Sequence, residues 1–363
     1  MKYYIIAGEA SGDVHGARLA EILQSADHSA VIHGVGGHLM IEAGVTLLFQ
    51  YHVIAIMGFW HVLKRVIVLR GYLQRCKNDI TSFQPDVVIL IDSAGFNLRI
   101  AKYVKRQDPG IKILYFIPPK VWAWGGWRIK QLQKYVDQVV VLFPFEQEFF
   151  TAKGLTTHYY GYPENDDKQS KTDVIPNWIA LLPGSRIQEI ESTLPTMLEV
   201  AKRFSGYQFV ICAMDVISEK HYRRNKLPEN VEIRWNNVHE VLDGSIAAIV
   251  TSGTATLQAC YARVPQVVVY KTNWMNYFIA RILVQVEHIS LVNLIAGQEV
   301  VKELIQTNFN TDRLSDQLTR LIEDPDYRNK ILNWYGEIRG KLKCDRVYEK
   351  SCDRILQKNL SNL

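Results

Sequence analysis

Residues 1–23, MKYYIIAGEASGDVHGARLAEIL, decide the fold class. An apolar run over 3–7 breaks at GEASGD, residues 8–13, and an amphipathic stretch follows over 14–23. Strand, loop and helix in that order open a doubly wound parallel sheet. Further buried-strand patterns at 30–35, 87–91, 113–117 and 138–142 alternate with helical ones, which predicts an α/β domain. At 161–173 the texture changes to GYPENDDKQSKTD, a polar, turn-rich linker. Alternation resumes with strands at 179–182, 208–213, 231–234, 247–251 and 266–270, and with helices from 187 to about 204 and from 254. From about 311 the chain reads as helix to its end. The pattern predicts two Rossmann-like halves and terminal helices free to pack back on the first half or on a partner subunit.

A chain of 363 residues is long enough for two such cores. Its 48% hydrophobic and 22% charged content excludes disorder, collagen-like repeats and a polytopic membrane protein. The net charge of +5, from 42 Lys and Arg against 37 Asp and Glu, is too small to argue for nucleic acid, but it suits an anionic substrate or a membrane surface. Five cysteines without a CxxC pair fit a reducing compartment and inert buried thiols. The first residues show neither a charged leader nor a small-residue cleavage site, so the expected location is cytoplasmic. The longest apolar region, residues 53–69, is interrupted by Gly58, His61, Lys64 and Arg65 and is too short and charged to span a bilayer. Its apolar side with basic Lys64, Arg65, Arg70 and Arg75 reads as a membrane-surface helix or as a helix packed on the sheet with snorkelling cations.

Five loops could carry chemistry. In GEASGD the glycines permit close approach of the backbone, and Ser11 or Asp13 can cap the helix. This is neither a Walker A loop nor GxGxxG, and Glu9 would repel a phosphate, so a hydroxyl-bearing ligand is expected. The turns LLPGSR, residues 181–186, and TSGTAT, residues 251–256, each lie between a strand and a helix. Exposed N–H groups together with the Arg186 guanidinium suit a nucleotide diphosphate, although Ser and Thr also cap helices. Asp92 directly follows an apolar strand, where it projects above the sheet or caps the next helix. PPKVWAWGGW, residues 118–127, has three tryptophans to stack on sugar, line a lipid slot or fill a pocket. The histidines show no metal-ligand spacing, and Asp324-Pro-Asp reads as a turn rather than a metal-binding DxD.

AGEASGDxHGA, IDxxGFN, PKVWAW, LLPGSRxxEI, TSGTATLxA and ISLVNLIAGxEVVxELIQ, in this order, resemble the lipid-A-disaccharide synthases, inverting glycosyltransferases of the GT-B class. The resemblance covers nearly the whole chain. It implies two Rossmann-like domains with parallel sheets facing a central cleft: residues 1–165 for the acceptor and lipid, 172–335 for the UDP-sugar, and 336–363 as helices returning to the first domain or swapped to a partner. It implies condensation of UDP-2,3-diacylglucosamine with 2,3-diacylglucosamine 1-phosphate (lipid X) to a β-1,6-linked disaccharide 1-phosphate and UDP. No cofactor or metal, no nucleic acid, a homodimer and peripheral attachment to the cytoplasmic face of the inner membrane go with it.

Carried over by position, the resemblance makes Asp92 the base and Glu9 a second catalytic residue, in contact with sugar hydroxyls. Gly184, Ser185, Arg186, Ser252, Gly253, Thr254 and Gln258 fall to UDP, and Ser11, Asn97 and Asn293 to sugar and acceptor. Met57, Trp60, Leu63, Trp122 and Trp124 fall to acyl chains or membrane. The sequence departs from the family pattern at Ala94, where proline is usual, at Gln258 in place of glutamate, and at Tyr162 in place of histidine in Gly-His-Pro. Gln258 would hold ribose without the charge-assisted bond, so weaker UDP affinity is expected. The departures at 94 and 258 leave open a catalytically silent module that binds acylated sugar or UDP at a membrane surface. A second alternative is another GT-B UDP-sugar enzyme, which would not need the apolar-basic helix at 53–75.

Overall fold

The computed structural model describes residues 1–52, 62–123, 125–163, 177–273, 287–343 and 346–360, with the side chains of 62–67 and 356–360 excepted. It divides into two compact units, Met1–Pro163 with Cys344–Leu363, and Glu164–Lys343. Most of the linker stretch 161–173 lies outside the described residues.

The first unit holds seven parallel strands: β1 (Lys2–Ala7), β2 (Val31–Gly36), β3 (Thr46–Gln50), β4 (Val87–Ile91), β5 (Lys112–Phe116), β6 (Gln138–Val141) and β7 (Thr157–Tyr159). Their order is β3-β2-β1-β4-β5-β6-β7. Every residue of β4, and every residue of β1 but Lys2, is buried, as parallel strands covered on both faces by helices must be. The order reverses between β1 and β4, which pair in register from Tyr3↔Val87 to Ala7↔Ile91. At such a reversal the two following loops diverge to opposite faces and leave a crevice at the carboxyl ends of the strands.

The second unit repeats the plan with six parallel strands: β8 (Trp178–Leu182), β9 (Gln208–Ala213), β10 (Val231–Trp235), β11 (Ala247–Thr251), β12 (Gln266–Tyr270) and β13 (Glu303–Ile305). The order β10-β9-β8-β11-β12-β13 places its reversal between β8 and β11. Both units are Rossmann-like. The strands absent from the sequence reading are β3, β7 and β13, each at a sheet edge, where half-exposed residues give no continuous apolar run.

Helix Pro325–Leu342 belongs to the second unit throughout, burying Ile331, Tyr335, Ile338 and Leu342. The boundary with the terminal segment therefore falls after Lys343, later than position 336. Asp324 caps this helix by accepting the Tyr327 N–H at 2.9 Å, a structural task for the formal DxD. The last helix, Val347–Leu360, packs on helix Ala10–Ala26 of the first unit. There His15 Nδ1 lies 2.8 Å from the Tyr348 hydroxyl, and the Tyr348 ring stacks on Phe116 at the end of β5.

Candidate active site

In the first unit the loops after β1 and β4 touch. A Cβ at Gly8 would lie 2.4 Å from the Ser93 side chain, so only glycine admits this approach. Asp92 and Ser93 both adopt left-handed backbone, with φ of 50° and 43°. Such a conformation costs about 1–3 kcal/mol for each non-glycine residue and persists only where the surroundings impose it. Here they do. The Tyr115 hydroxyl donates to the Asp92 carbonyl at 2.6 Å, and Asn97 Nδ2 donates to the carbonyls of Asp92 (2.8 Å) and Ile91 (3.0 Å).

The Asp92 carboxylate accepts only its neighbour's N–H, from Ser93 at 2.8 Å, among the hydrogen bonds of the described residues. Burial raises its carboxyl above the ordinary carboxylate range, opposed by that bond and by the charge of Lys120. Glu9 stands exposed one turn-loop away, at the N-cap of helix Ala10–Ala26 in extended backbone, with Ser11 exposed in the first turn. Asp13 does not cap its own helix. It is buried and accepts the N–H groups of Gly37 (2.6 Å), Leu39 (3.1 Å) and Met40 (3.2 Å), which ties that helix to the start of helix His38–Glu42.

Three side chains assigned from the sequence to ligands have polar groups engaged within the fold. Asn97 is fully buried with its amide nitrogen engaged on the strained loop, so in this structure it supports the Asp92 backbone. Trp122 is half-buried. Its indole N–H donates to Glu146 Oε1 at 2.9 Å, and its ring meets Phe145 edge-on at 4.9 Å. Glu146 is buried and also accepts the Phe143 N–H at 3.3 Å; burial pushes its carboxyl up to about 7 against these bonds and the Lys120 charge. Met57, Trp60 and Trp124 lie outside the described residues, as does the side chain of Leu63 in helix Val62–Phe83.

In the second unit the turns after β8 and β11 lie at the strand reversal. Gly184 has φ +119°, and a Cβ there would meet Glu189 at 2.6 Å. Glu189, in the first turn of helix Ile187–Arg203, accepts the Ser185 N–H at 3.0 Å and pairs with Arg186 at 2.8 Å. Gly253 and Thr254 are exposed, and Gln258 is half-buried in helix Ala255–Tyr261. The Ser252 hydroxyl donates to the Ile289 carbonyl at 2.8 Å.

Asn293, assigned to sugar by the resemblance, is likewise engaged within the fold. It is fully buried; its Nδ2 donates to the Val301 carbonyl and to Glu303, and its Oδ1 accepts the N–H groups of Val300 and Val301. Glu303 also accepts the N–H groups of Ile289 and Ser290 at 2.9 Å. Asn293 thus belongs to the scaffold that fixes the carbonyl holding Ser252. No group of three or more His, Cys, Asp or Glu side chains is gathered for a metal ion among the described residues.

A family model for the lipid-A-disaccharide synthetases matches residues 3–350. The chain belongs to this family. Lipid-A-disaccharide synthases from Trichlorobacter lovleyi and Myxococcus xanthus are similar to it, with 33% identity over 93% of this chain and 92% of the relative, and 32% over 97% and 96%. The family comprises GT-B glycosyltransferases. Solved structures share the fold at low identity: the glycotransferase of kitacinnamycin (14%, TM-score 0.63, 98% of each chain) and UDP-GlcNAc 2-epimerase from Neisseria meningitidis (13%, TM-score 0.63, 100% of each chain).

Glu146 and Glu189 escaped the sequence reading. The signal for Glu146 was FPFE, a proline at the first helical position with glutamate two residues on, a helix-start pattern that draws a carboxylate inward. For Glu189 it was the glutamate of GSRxxE itself.

Proposed function

We propose that this chain transfers 2,3-diacylglucosamine from UDP to the 6-hydroxyl of 2,3-diacylglucosamine 1-phosphate with inversion at the anomeric carbon. The carrying observation is Asp92, held in strained backbone at the strand reversal of a family member with its carboxyl raised by burial. A carboxylate of raised pKa is a better proton acceptor than a solvated one. In the proposed step Asp92 takes the proton of the attacking hydroxyl. The new C–O bond forms as the bond from C1 to the diphosphate oxygen breaks, and UDP leaves with the electron pair. Fixed donors must meet the charge that develops on the leaving phosphate. Arg186 and the N–H groups around Gly184–Ser185 and Gly253–Thr254 are assigned to it, with Gln258 on the ribose and Glu9 and Ser11 on sugar hydroxyls.

The same reading assigns acyl chains and the cytoplasmic surface of the inner membrane to the segment with Met57, Trp60 and Leu63. No helix among the described residues is long and apolar enough to cross a membrane. Helix Val62–Phe83 nevertheless exposes Val68 (54%) beside exposed Arg70, which supports a surface role.

The test is UDP release from UDP-2,3-diacylglucosamine in mixed micelles, with and without lipid X and with EDTA. Acceptor-dependent release that survives EDTA, with a disaccharide 1-phosphate identified by mass spectrometry, is the expected result. Binding of both lipids without release would establish the silent module instead. Release or isomerisation without acceptor would point to another UDP-sugar enzyme.

A further inference from the structure

Glu189 occupies the donors that the reaction assigns to phosphate. One carboxylate oxygen accepts the Ser185 N–H at 3.0 Å and the other pairs with the Arg186 guanidinium at 2.8 Å. The arrangement is built into the fold. Glu189 keeps its side chain 17% exposed, whereas the Arg186 side chain is 77% exposed. Gly184 wraps the backbone around that carboxylate in a conformation that L side chains rarely adopt. Thr193, one helical turn further on, donates its hydroxyl to the Pro183 carbonyl at 2.9 Å and fastens helix to turn. A carboxylate held by a backbone N–H and a guanidinium reproduces the contacts of a phosphate oxygen pair.

One N–H cannot serve two anions, and two anions in one turn repel. We infer that Glu189 is a positioning residue that holds the phosphate-binding donors in place and competes with the nucleotide diphosphate for them, so that it sets how readily UDP is released. This inference rests on the assignment of the turn to the diphosphate. When UDP binds, the Glu189 carboxylate gives up Ser185 and Arg186 and turns to solvent. When UDP leaves, the carboxylate re-pairs with both, and the turn keeps its shape through the cycle. Glutamine at 189 would still accept the Ser185 N–H but would carry no charge to hold Arg186 or to repel phosphate.

The test is calorimetric titration of the full chain with UDP and, separately, with uridine, which lacks the diphosphate. Glu189→Gln should bind UDP about tenfold more tightly, the loss of one charge-assisted competitor, and leave uridine affinity unchanged. Glu189→Asp, too short to span both donors, should fall between wild type and Glu189→Gln. In Glu189→Gln combined with Arg186→Ala the gain should disappear. Equal or weaker UDP binding by both single Glu189 variants would overturn the inference, as would a parallel change for uridine. Arg186→Ala alone separates the two levels. If it weakens UDP while the Glu189 variants fail to tighten it, only the competition is wrong. If it leaves UDP affinity unchanged, the diphosphate assignment itself fails.

Discussion

The two strand reversals are built alike and equipped oppositely. Between β1 and β4 an acidic side chain is withdrawn from water: Asp92 sits in left-handed backbone, carried by Tyr115 and Asn97, with burial raising its carboxyl. Between β8 and β11 a cation is displayed, Arg186 standing 77% exposed over a glycine turn whose donors rest on Glu189. On the proposed reading, one topology supplies a proton acceptor in one unit and an anion receptor in the other. The difference lies in loop chemistry and in how far each loop is desolvated. Function is carried by sites placed on folds, not by the folds.

The comparison breaks most visibly at Asp92. Asp92→Ala should lower turnover by about a thousandfold, the scale of general base removal, with UDP affinity preserved. Turnover and titration on the same preparation check this, and undiminished turnover would remove the first reversal from the chemistry. Arg186→Ala should do the converse, weakening UDP by about ten- to a hundredfold, the worth of a hydrogen bond to a charged group. An unchanged dissociation constant would leave the second reversal without its assigned role.

Two smaller effects sharpen the account of the first unit. Asn97→Ala removes a donor from the Ile91 carbonyl and leaves the Asp92 carbonyl with the Tyr115 hydroxyl, and should cost about 1–3 kcal/mol in a denaturant titration. Turnover should fall with it, because the strained loop loses its support. Glu146 gives a pH signature. Its carboxyl is raised by burial from 4.5 to about 7, so the folded chain binds the additional proton between those values. The stability it contributes is present below pH 4.5 and is lost as pH rises through about 7. Glu146→Gln keeps an acceptor for the Trp122 indole and should flatten that part of the curve of melting temperature against pH. Parallel curves would show that Glu146 is not the group titrating.

What the sequence disclosed follows burial. Strands β4, β9, β11 and β12 were legible to the residue because continuous apolar runs mark strands covered on both faces. β3, β7 and β13 were not, since an edge strand shares its signal with loops. The loops at both reversals were legible for the same reason: a polar or glycine-rich break after an apolar run places itself at a strand end. The direction of each side chain was not. Asn97, Asn293 and Trp122 have the chemistry of ligand contacts, and only the fold shows their donors engaged on Asp92, Val301 and Glu146. Asp13 likewise serves helix His38–Glu42, a partner that sequence proximity does not suggest.

The most direct test of the central claim is the pH dependence of single-turnover transfer at saturating donor and acceptor. A buried base predicts that the rate falls on the acid side with a midpoint above the ordinary carboxylate range, and that the fall is absent from the residual rate of Asp92→Asn. A midpoint in the ordinary range, or the same acid limb surviving in Asp92→Asn, would contradict it.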